Sequence, residues 1–247
     1  MKQSNLLRVD LHTHSWYSAD SPMSPARLVR QARAAGLDRV AITDHGAIAG
    51  AREAYALDPE LVIVGEEVKC ANGAHMIGLF LQERIPNKLP VAETAQLIRD
   101  QGGVVYAPHP YAYLRDPVGR TEAVLEVADV VETFNARAFA PSWNPRAAAA
   151  AAQRGLPAFA GTDGHFPWEI GRANTLLPAF HDGPSFLLAA GETQLHMPAT
   201  TPTYILAASL ACEIARLAIG SRQGSRPPFA GWRQRATAVG VVETRST

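Results

Sequence analysis

The chain has 247 residues, which is enough for one well-buried domain with or without a small appendage. Lysine plus arginine and aspartate plus glutamate both number 23, so no overall field favours binding to nucleic acid or to an anionic membrane. An anionic substrate remains compatible with this balance, because a bound metal cluster would add local positive charge that the sequence sum omits.

Short apolar runs alternate with helical patterns from the N-terminus to about residue 165. Residues 6–11 predict the first strand, and Ser24 followed by Pro25 predicts the N-cap and first turn of a helix. Later runs predict strands over residues 39–43, 61–64, 75–81, 104–107, 130–134 and 157–160. Helical patterns end near residues 57 and 128 and cover 92–101 and 146–154, the last capped by Asn144 and ended by Gly155. Strands that alternate with helices of about ten residues indicate an α/β protein built from parallel βαβ units.

Acidic residues and histidines follow these predicted strands closely. In a (β/α) barrel the loops after the strands converge on one rim, where catalytic groups gather. Six of the eight histidines occur in strand-end motifs: His12, His14, His45, His75, His109 and His165. We therefore expect these side chains to meet at one rim.

The spacing of the first two histidines suits metal chelation. His12 and His14 are two residues apart on a strand, so their imidazoles leave the same face and can bind one ion. Neutral imidazole suits zinc, iron and manganese. Asp163 and His165 repeat the spacing after the last predicted strand. By the same alternation Asp10 shares the face of the first pair, where it is expected to orient an imidazole by accepting a hydrogen bond.

Each of these features has a second interpretation when it stands alone. A His-x-His pair also occurs as two unrelated surface histidines, and Asp44 with His45 also suits a helix cap or a surface pair. Of Glu66 and Glu67, one is expected to be a metal ligand and the other to be solvated or salt-bridged. Their joint occurrence after successive strands favours a metal cluster.

The order of these motifs resembles that of a known family. The segments are Asp10-Leu11-His12-Thr13-His14-Ser15, Ile42-Thr43-Asp44-His45-Gly46, Gly65-Glu66-Glu67-Val68, His75-Met76-Ile77-Gly78-Leu79, Ala107-Pro108-His109-Pro110 and Gly161-Thr162-Asp163-Gly164-His165. In this order they resemble the PHP (polymerase and histidinol phosphatase) family, and the resemblance covers roughly residues 8–190. It implies a distorted (β/α)7, TIM-like barrel that holds two or three divalent metal ions (zinc, manganese or iron).

The resemblance also implies a ligand set, carried over motif by motif. One metal would be held by His12, His14, Glu67 and Asp163. A second would be held by Asp20, His45 and His165. Glu67 would bridge to a third metal, together with His75 and His109. Glu67 rather than Glu66 matches the Gly-x-Glu-Val spacing of the family.

By this resemblance the expected activity is hydrolysis of a small phosphate mono- or diester by metal-bound hydroxide. Fixed cations would contact the phosphate oxygens, with Arg172 first and Arg137, Lys69 and Arg120 after it. Asn135 is expected to position substrate or water at the rim. The proton donor for the leaving group is left open between His45, Asp20 and a metal-bound water.

Three other functions stay open at this point. An exonuclease-like module belongs to the same family, but the chain shows no basic track for nucleic acid. A metal-dependent amide or lactone hydrolase commonly uses a carboxylated lysine, and only Lys69 lies near an evident strand end. A metal-binding regulatory module without catalysis would be favoured if ligands were missing. Histidinol phosphate, nucleoside bisphosphates and small phosphodiesters all remain compatible substrates.

The remaining sequence features predict the domain layout and location. We expect the barrel over residues 1–190, a helical appendage over 191–222 that includes an amphipathic helix at 203–220, and a weakly ordered tail over 223–247. Cys70 and Cys212 form no CxxC pair, which argues against a disulfide framework or a zinc ribbon. The first residues show no apolar signal-peptide core, so a cytoplasmic protein with no membrane partner is expected.

Overall fold

A computed structural model describes residues 6–113, 116, 118–203, 205, 207–212 and 214–215. In this part of the chain the elements are, in order, β1 (Leu6–Thr13), α1 (Pro25–Ala34), β2 (Arg39–Ile42), α2 (Ala49–Leu57), β3 (Val62–Lys69), β4 (His75–Leu79), α3 (Val91–Asp100), β5 (Val104–Ala107), α4 (Arg120–Leu125), β6 (Val130–Asn135), α5 (Trp143–Arg154), β7 (Ala158–Gly161), β8 (Asn174–Pro178), α6 (Gly183–Ala189) and β9 (Gln194–His196). Within these residues no helix is long and apolar enough to cross a membrane.

The strands form one mixed sheet in the order β7-β6-β5-β4-β3-β2-β1-β8-β9. The sheet nearly closes on itself, because the end of β1 bridges to the segment just after β7. There the His14 amide donates to the Gly164 carbonyl at 2.8 Å, and the Gly164 amide donates to the His12 carbonyl at 3.3 Å. This nearly closed sheet with helices outside it is the distorted TIM-like barrel that the family resemblance implies.

The expectation of purely parallel pairing is wrong at β4. The pairs β1–β2, β2–β3, β5–β6 and β6–β7 are parallel, but β4 pairs antiparallel with both β3 and β5. Between β3 and β4 the chain makes a tight turn, in which the Cys70 amide donates to the Ala74 carbonyl and the Gly73 amide to the Cys70 carbonyl. So short a connection cannot hold the crossover that parallel strands need.

The segment after β7 adds elements that the sequence reading missed. β8 runs antiparallel to β1, and β9 pairs antiparallel with β8 at the edge of the sheet. Between them, α6 begins with a capping box made by Asp182 and Ser185. The described residues between 203 and 215 are helical, in agreement with the start of the predicted helix. The rest of that helix and the predicted tail over residues 223–247 lie outside the described residues.

Three main apolar clusters pack against the strands, and one of them packs α3, α4 and α5 onto the outer faces of β3, β4, β5 and β6. The barrel interior is filled from β1, β3, β4, β5 and β7 by side chains that include Leu11, Ile77 and Phe159, and Phe180 and Phe186 pack against the same cluster. A third cluster packs α1 and α2 onto the outer face of β2. The interior apolar layer excludes water from one side of the polar groups at the strand ends, which strengthens their mutual interactions.

The two serine-led helix starts differ in their caps. Ser24 caps α1 as predicted, since its Oγ accepts a hydrogen bond from the Arg27 amide at 3.2 Å. The predicted cap of α5 by Asn144 is wrong, because α5 begins at Trp143 after Ser142 and no side chain caps it. The Asn144 side chain instead pairs with the backbone of Asn135 at the end of β6.

This difference generates a stability prediction. Ser24→Ala should lower the free energy of unfolding by about 1 kcal/mol, because it removes the hydrogen-bond acceptor for an orphan amide at a helix start. Ser142→Ala is the matched control and should leave the unfolding free energy unchanged within about 0.5 kcal/mol. Urea unfolding followed by circular dichroism measures both values. Equal losses in the two variants would show that the Ser24 cap contributes nothing.

Candidate metal centre

A β-bulge in β1 aims the first two histidines into the barrel. From Asp10 to Thr13 the chain advances three residues while the paired residues of β2 advance two, from Val40 to Ile42. The extra residue breaks the alternation, so His12 follows Leu11 onto the interior face. Both histidines are fully buried and reach the ends of the neighbouring strands.

Four ligand atoms meet at this point. His12 Nε2 lies 3.5 Å from both Glu67 Oε2 and Asp163 Oδ1. His14 Nε2 lies 3.5 Å from Glu67 Oε2 and 3.2 Å from Asp163 Oδ1. Four ligands placed tetrahedrally about 2.1 Å from a zinc ion lie about 3.4 Å from one another. The four histidine–carboxylate separations therefore suit a metal ion bound between the two histidines and the two carboxylates.

The proton positions on the two rings support this assignment. His12 Nδ1 lies 3.0 Å from Glu132 Oε1, and because a carboxylate only accepts, Nδ1 carries the hydrogen. The Ser18 hydroxyl donates its proton to Asp44 Oδ1 at 2.9 Å and so accepts from His14 Nδ1 at 3.1 Å. In both rings Nε2 is therefore the atom that faces the carboxylates.

Imidazole nitrogens and carboxylate oxygens consequently face one another in a buried space. Among the described residues His12 Nε2 and His14 Nε2 have no hydrogen-bond partner. Burial and the imidazoles of His165 and His45 lower the pKa of His14 to about 3. Burial opposes protonation of His12, but the carboxylates of Glu132 and Asp163 raise its pKa well above the usual value. Neutral imidazoles and carboxylates are the donor set that binds zinc, iron or manganese. The residues present thus fit a divalent cation.

A second group lies beside the first. His165 Nδ1 donates to the Asp163 carbonyl at 2.6 Å, which directs Nε2 to Asp20 Oδ2 at 2.8 Å. His45 Nε2 lies 3.6 Å from the same Asp20 oxygen, and its Nδ1 lies 2.9 Å from Glu67 Oε2. Burial opposes ionisation of Asp20, but the two imidazoles hold the pKa of its carboxyl well below the usual range. The three residues predicted for a second ion are therefore adjacent.

The two oxygens of Glu67 face different histidines. Its Oε1 lies 2.8 Å from His75 Nδ1 and 3.3 Å from His109 Nε2, whereas Oε2 faces the two groups described above. Two of the predicted ligands, His109 and Asp163, have positive φ angles of 26° and 51°. Non-glycine residues in such strained backbone are concentrated at functional sites. All nine predicted metal ligands thus converge at one rim, with Glu67 at their centre.

Glu132 is a functional residue that the sequence reading missed. Its Oε1 accepts from His12 Nδ1 at 3.0 Å and from the Tyr106 hydroxyl at 3.3 Å. Its Oε2 accepts from the His109 amide at 2.7 Å and from Asn135 Nδ2 at 2.9 Å. A carboxylate behind a ligating imidazole fixes the tautomer and the ring orientation. The sequence feature that could have identified Glu132 is its place in the buried strand β6, because a charged residue there needs a buried partner.

The expectation that Asp10 orients an imidazole is wrong. The β-bulge leaves Asp10 on the opposite face of β1 from His12, where it accepts from the Thr162 hydroxyl at 2.6 Å and the Gly171 amide at 3.1 Å. Burial raises the pKa of Asp10 to about 6. Its role is to tie β1 to the loop after β7, which carries Asp163.

Of the two adjacent glutamates, Glu66 faces away from the site. Its Oε2 accepts from the Ile85 amide at 3.0 Å, and Arg84 Nε lies 3.6 Å from Oε1. Burial raises the pKa of Glu66 to about 7. Glu66 therefore anchors the loop after β4, in line with the salt-bridged alternative.

Two of the residues predicted to contact substrate have their side chains committed elsewhere. Arg137 is buried, and its Nη1 lies 3.0 Å from both oxygens of Glu169, so the predicted role as a phosphate contact is wrong. Asn135 Nδ2 donates to Glu132 and lies 3.3 Å from Asp163 Oδ2. Asn135 therefore positions a predicted ligand.

Arg172 is exposed but lies on the wrong side of the barrel for a phosphate contact. The preceding Gly171 packs against Ala35 and Leu37, which come just before the start of β2. The predicted ligands lie at the opposite ends of the parallel strands. Arg120 is also engaged, since its Nε donates to the Asn72 carbonyl at 2.9 Å.

Lys69 lies where a substrate would enter. A cavity of about 490 Å³ opens beside the cluster, and four of the predicted ligands line it. The residues that line it are Tyr17, Ala19, Asp20, His45, Gly46, Glu67, Val68, Lys69, His75 and Asn87. Lys69 is exposed at this opening. Of the four candidate contacts to phosphate, Lys69 alone lines the cavity.

Comparisons with known proteins agree with this geometry. The chain matches the family model described as PHP domain over residues 10–105 and the one described as PHP-associated over residues 141–190. An uncharacterized protein of Methanocaldococcus jannaschii is 38% identical over 143 residues, which are 53% of this chain and 82% of that protein. A 5′-3′ exoribonuclease of Haemophilus influenzae is 32% identical over 103 residues, which are 39% of this chain and 37% of that protein.

Two solved structures share the fold. One is a two-domain protein from Bacteroides vulgatus, described as containing a predicted PHP-like metal-dependent phosphoesterase. It superposes with a TM-score of 0.64 at 18% identity, and the match covers 84% of this chain and 70% of the Bacteroides protein. The other is an amidohydrolase from Chromobacterium violaceum, with a TM-score of 0.54 at 17% identity. This match covers 81% of this chain and 96% of the Chromobacterium protein. The barrel with its histidine–carboxylate rim has the fold of these PHP-like structures. The chain belongs to the PHP family.

The role of Glu132 generates a prediction. Glu132→Gln should weaken metal binding about 10- to 100-fold, because the four groups around the carboxylate all donate and a glutamine amide would set an N–H against two of them. Metal titration of the purified protein with Zn²⁺ measures the change. Glu126→Gln, at the exposed end of α4, is the control and should bind metal like the unmodified chain. Unchanged affinity in Glu132→Gln would contradict the role of this carboxylate.

Proposed function

We propose that the chain is a metal-dependent phosphoesterase that hydrolyses a small phosphate mono- or diester. The observation that carries the proposal is the buried set of His12 and His14 nitrogens that face the carboxylate oxygens of Glu67 and Asp163 beside an open cavity. When bound, two or three divalent ions supply an activated water and neutralise charge on the phosphoryl group. The cavity gives a small substrate access to the same groups.

The charge of the site favours an anionic substrate. Three of the predicted ligands are carboxylates (Asp20, Glu67 and Asp163), and the other six are histidines. Two or three divalent cations carry more charge than the three carboxylates, so the loaded site is net positive even though the chain is neutral overall. A net positive centre binds phosphate and favours the charge that develops during phosphoryl transfer.

The position of each residue in the candidate site indicates its proposed role in hydrolysis. Glu67 holds the groups together, while His45 and Asp20 stand on the cavity wall, where the leaving oxygen would lie. Lys69 would contact a phosphate oxygen from the opposite side of the opening. Asn135 and Glu132 keep Asp163 and His12 in place.

Two alternatives have specific support from the relatives. The Haemophilus influenzae relative is named an exoribonuclease, which supports testing oligoribonucleotides beside small esters. The Chromobacterium violaceum structure is named an amidohydrolase, and Lys69 lines the cavity, where a carboxylated lysine would have to lie. The phosphoesterase is preferred because the histidines and carboxylates already form a complete donor set without that modified lysine.

A substrate panel decides between these functions. The purified chain, loaded separately with Zn²⁺ and Mn²⁺, should release phosphate from small phosphomonoesters or cleave a small phosphodiester. The panel includes an oligoribonucleotide, an amide and a lactone. Cleavage of only the amide or lactone would favour the amidohydrolase, and full metal occupancy with no hydrolysis of any substrate would favour the regulatory module.

The first predicted ligand pair yields a prediction on activity. His14→Ala should lower kcat/KM for the best ester by at least about 100-fold, because it removes a metal ligand with no replacement nearby. His196→Ala is the control, since this exposed histidine lies in β9 at the edge of the sheet. Elemental analysis of both variants should show metal loss in His14→Ala only. Full activity in His14→Ala would sink the site assignment.

The cation at the cavity opening yields a separate prediction. Lys69→Ala should raise KM about tenfold with a smaller change in kcat, because it removes a charged contact to the bound phosphate. Lys88→Ala is the matched control, because Lys88 is exposed and does not line the cavity. Steady-state kinetics on the preferred ester measures both constants. A KM that stays the same in Lys69→Ala would remove Lys69 from the substrate contacts.

A further inference from the structure

The three residues that span the end of β6 and the turn after it connect several parts of the predicted site. Asn135 reaches Asp163 and Glu132 with its amide, and its Oδ1 accepts from the Arg137 backbone amide at 2.8 Å. Between them, the Ala136 carbonyl accepts a hydrogen bond from the Thr201 amide at 2.6 Å. This short segment therefore touches both the ligand cluster and the C-terminal part of the chain.

Glu169 holds the backbone of a predicted ligand. Its Oε2 accepts from the His165 amide at 2.9 Å and from the Phe166 amide at 3.0 Å. On the other side of the same residue, the His165 carbonyl accepts from the Ser21 hydroxyl at 2.8 Å. The main chain of His165 is thus fixed at both ends, which sets the direction in which its imidazole leaves.

The carboxylate of Glu169 is itself held by a buried cation. Arg137 Nη1 lies 3.0 Å from each Glu169 oxygen, and Arg137 Nη2 donates to Ser209 Oγ at 2.8 Å. All three side chains are at least nine-tenths buried, with relative exposures of 9% for Arg137, 1% for Glu169 and 4% for Ser209. A chain of contacts therefore runs from the C-terminal helix to the loop that carries His165.

Burial makes this chain sensitive to each member. A charge removed from water must be balanced by its partner and by further hydrogen bonds, and the loss of one partner leaves the other uncompensated. Glu169 balances the Arg137 charge. Ser209 Oγ accepts the hydrogen bond from Arg137 Nη2, which does not reach the carboxylate. In Glu169→Gln the amide nitrogen would face either the guanidinium or the two backbone amides, all of which are donors.

We propose that Ser209, Arg137 and Glu169 are positioning residues through which the C-terminal segment orients His165 for the second metal ion. The inference rests on the metal sites of the proposed function and does not depend on which bond is hydrolysed. It gives the segment after residue 200 a part in building the site. It also explains why an arginine beside the cluster is buried and turned towards a carboxylate.

The test is titration of the full chain with Mn²⁺, read by elemental analysis and by the electron paramagnetic resonance of bound Mn²⁺. Reference titrations of His165→Ala and His14→Ala identify the ion that each ligand group holds. We call the ion that is lost in His165→Ala the second ion and the ion that is lost in His14→Ala the first ion. Glu169→Gln should weaken binding of the second ion about 10- to 100-fold. The same variant should leave the affinity for the first ion unchanged within about twofold. Ser209→Ala keeps the ion pair and should weaken binding of the second ion about threefold to tenfold.

Controls separate positioning from general destabilisation. Glu122→Gln removes a carboxylate from the exposed pair with Arg154 and should leave both ions unchanged. If Glu169→Gln does not fold by circular dichroism, Ser209→Ala decides alone. Wild-type isotherms in Ser209→Ala and in folded Glu169→Gln would overturn the inference, and so would equal weakening of both ions in step with a lowered melting temperature. No substrate enters these titrations, so a failure of the phosphoesterase proposal leaves their result readable.

Discussion

The rest of the site depends on one buried carboxylate. The oxygens of Glu67 lie within 3.5 Å of nitrogen atoms on five imidazoles: His12, His14, His45, His75 and His109. Burial alone would raise the pKa of Glu67, but the surrounding histidines hold it well below its usual value. Five imidazole nitrogens around one buried carboxylate form a centre that bound divalent cations would stabilise.

A second set of carboxylates lies behind the ligands and sets their directions. Glu132 accepts from the His12 ring, Asp44 acts on the His14 ring through Ser18, and Glu169 fixes the backbone of His165. Glycine makes room for this packing at one point, since a Cβ at Gly161 would lie 2.2 Å from Glu132 Oε1. These contacts fix the direction of each ring, which would lower the cost of binding an ion.

The two family models cover most of the candidate site but not all of it. The two family models cover residues 10–105 and 141–190, so His109 and Glu132 fall between them. The structure nevertheless brings both residues into contact with the groups that the models cover. Strand β6 therefore belongs to the site as closely as β1 and β3 do. Its carboxylate Glu132 contacts the His12 ring and the His109 amide.

The sequence by itself determined the strand–helix alternation and the order of the ligand motifs. These follow from local patterns: apolar runs, capping signals and histidines at strand ends. The barrel class was implied by the resemblance of those motifs to the PHP family. The sequence did not determine the antiparallel β4, nor β8, α6 and β9. The hairpin at residues 70–74 shows the reason. Only a long connection can hold the crossover of a parallel pair, and the length of the connection depends on where the two strands end in the folded chain.

Only the tertiary structure decided how the side chains point and which of them pair. The spacing of Asp10, His12 and His14 assumes a regular pleat, and the bulge in β1 breaks that assumption and separates Asp10 from the histidines. Glu132 lies 120 residues from His12 along the chain, so no local pattern connects them. The sequence predicts Arg137 as a cation available to phosphate, whereas the fold buries its guanidinium against Glu169. Local spacing predicts which residues can bind a metal, whereas the packing of distant strands selects the partners that hold them in place.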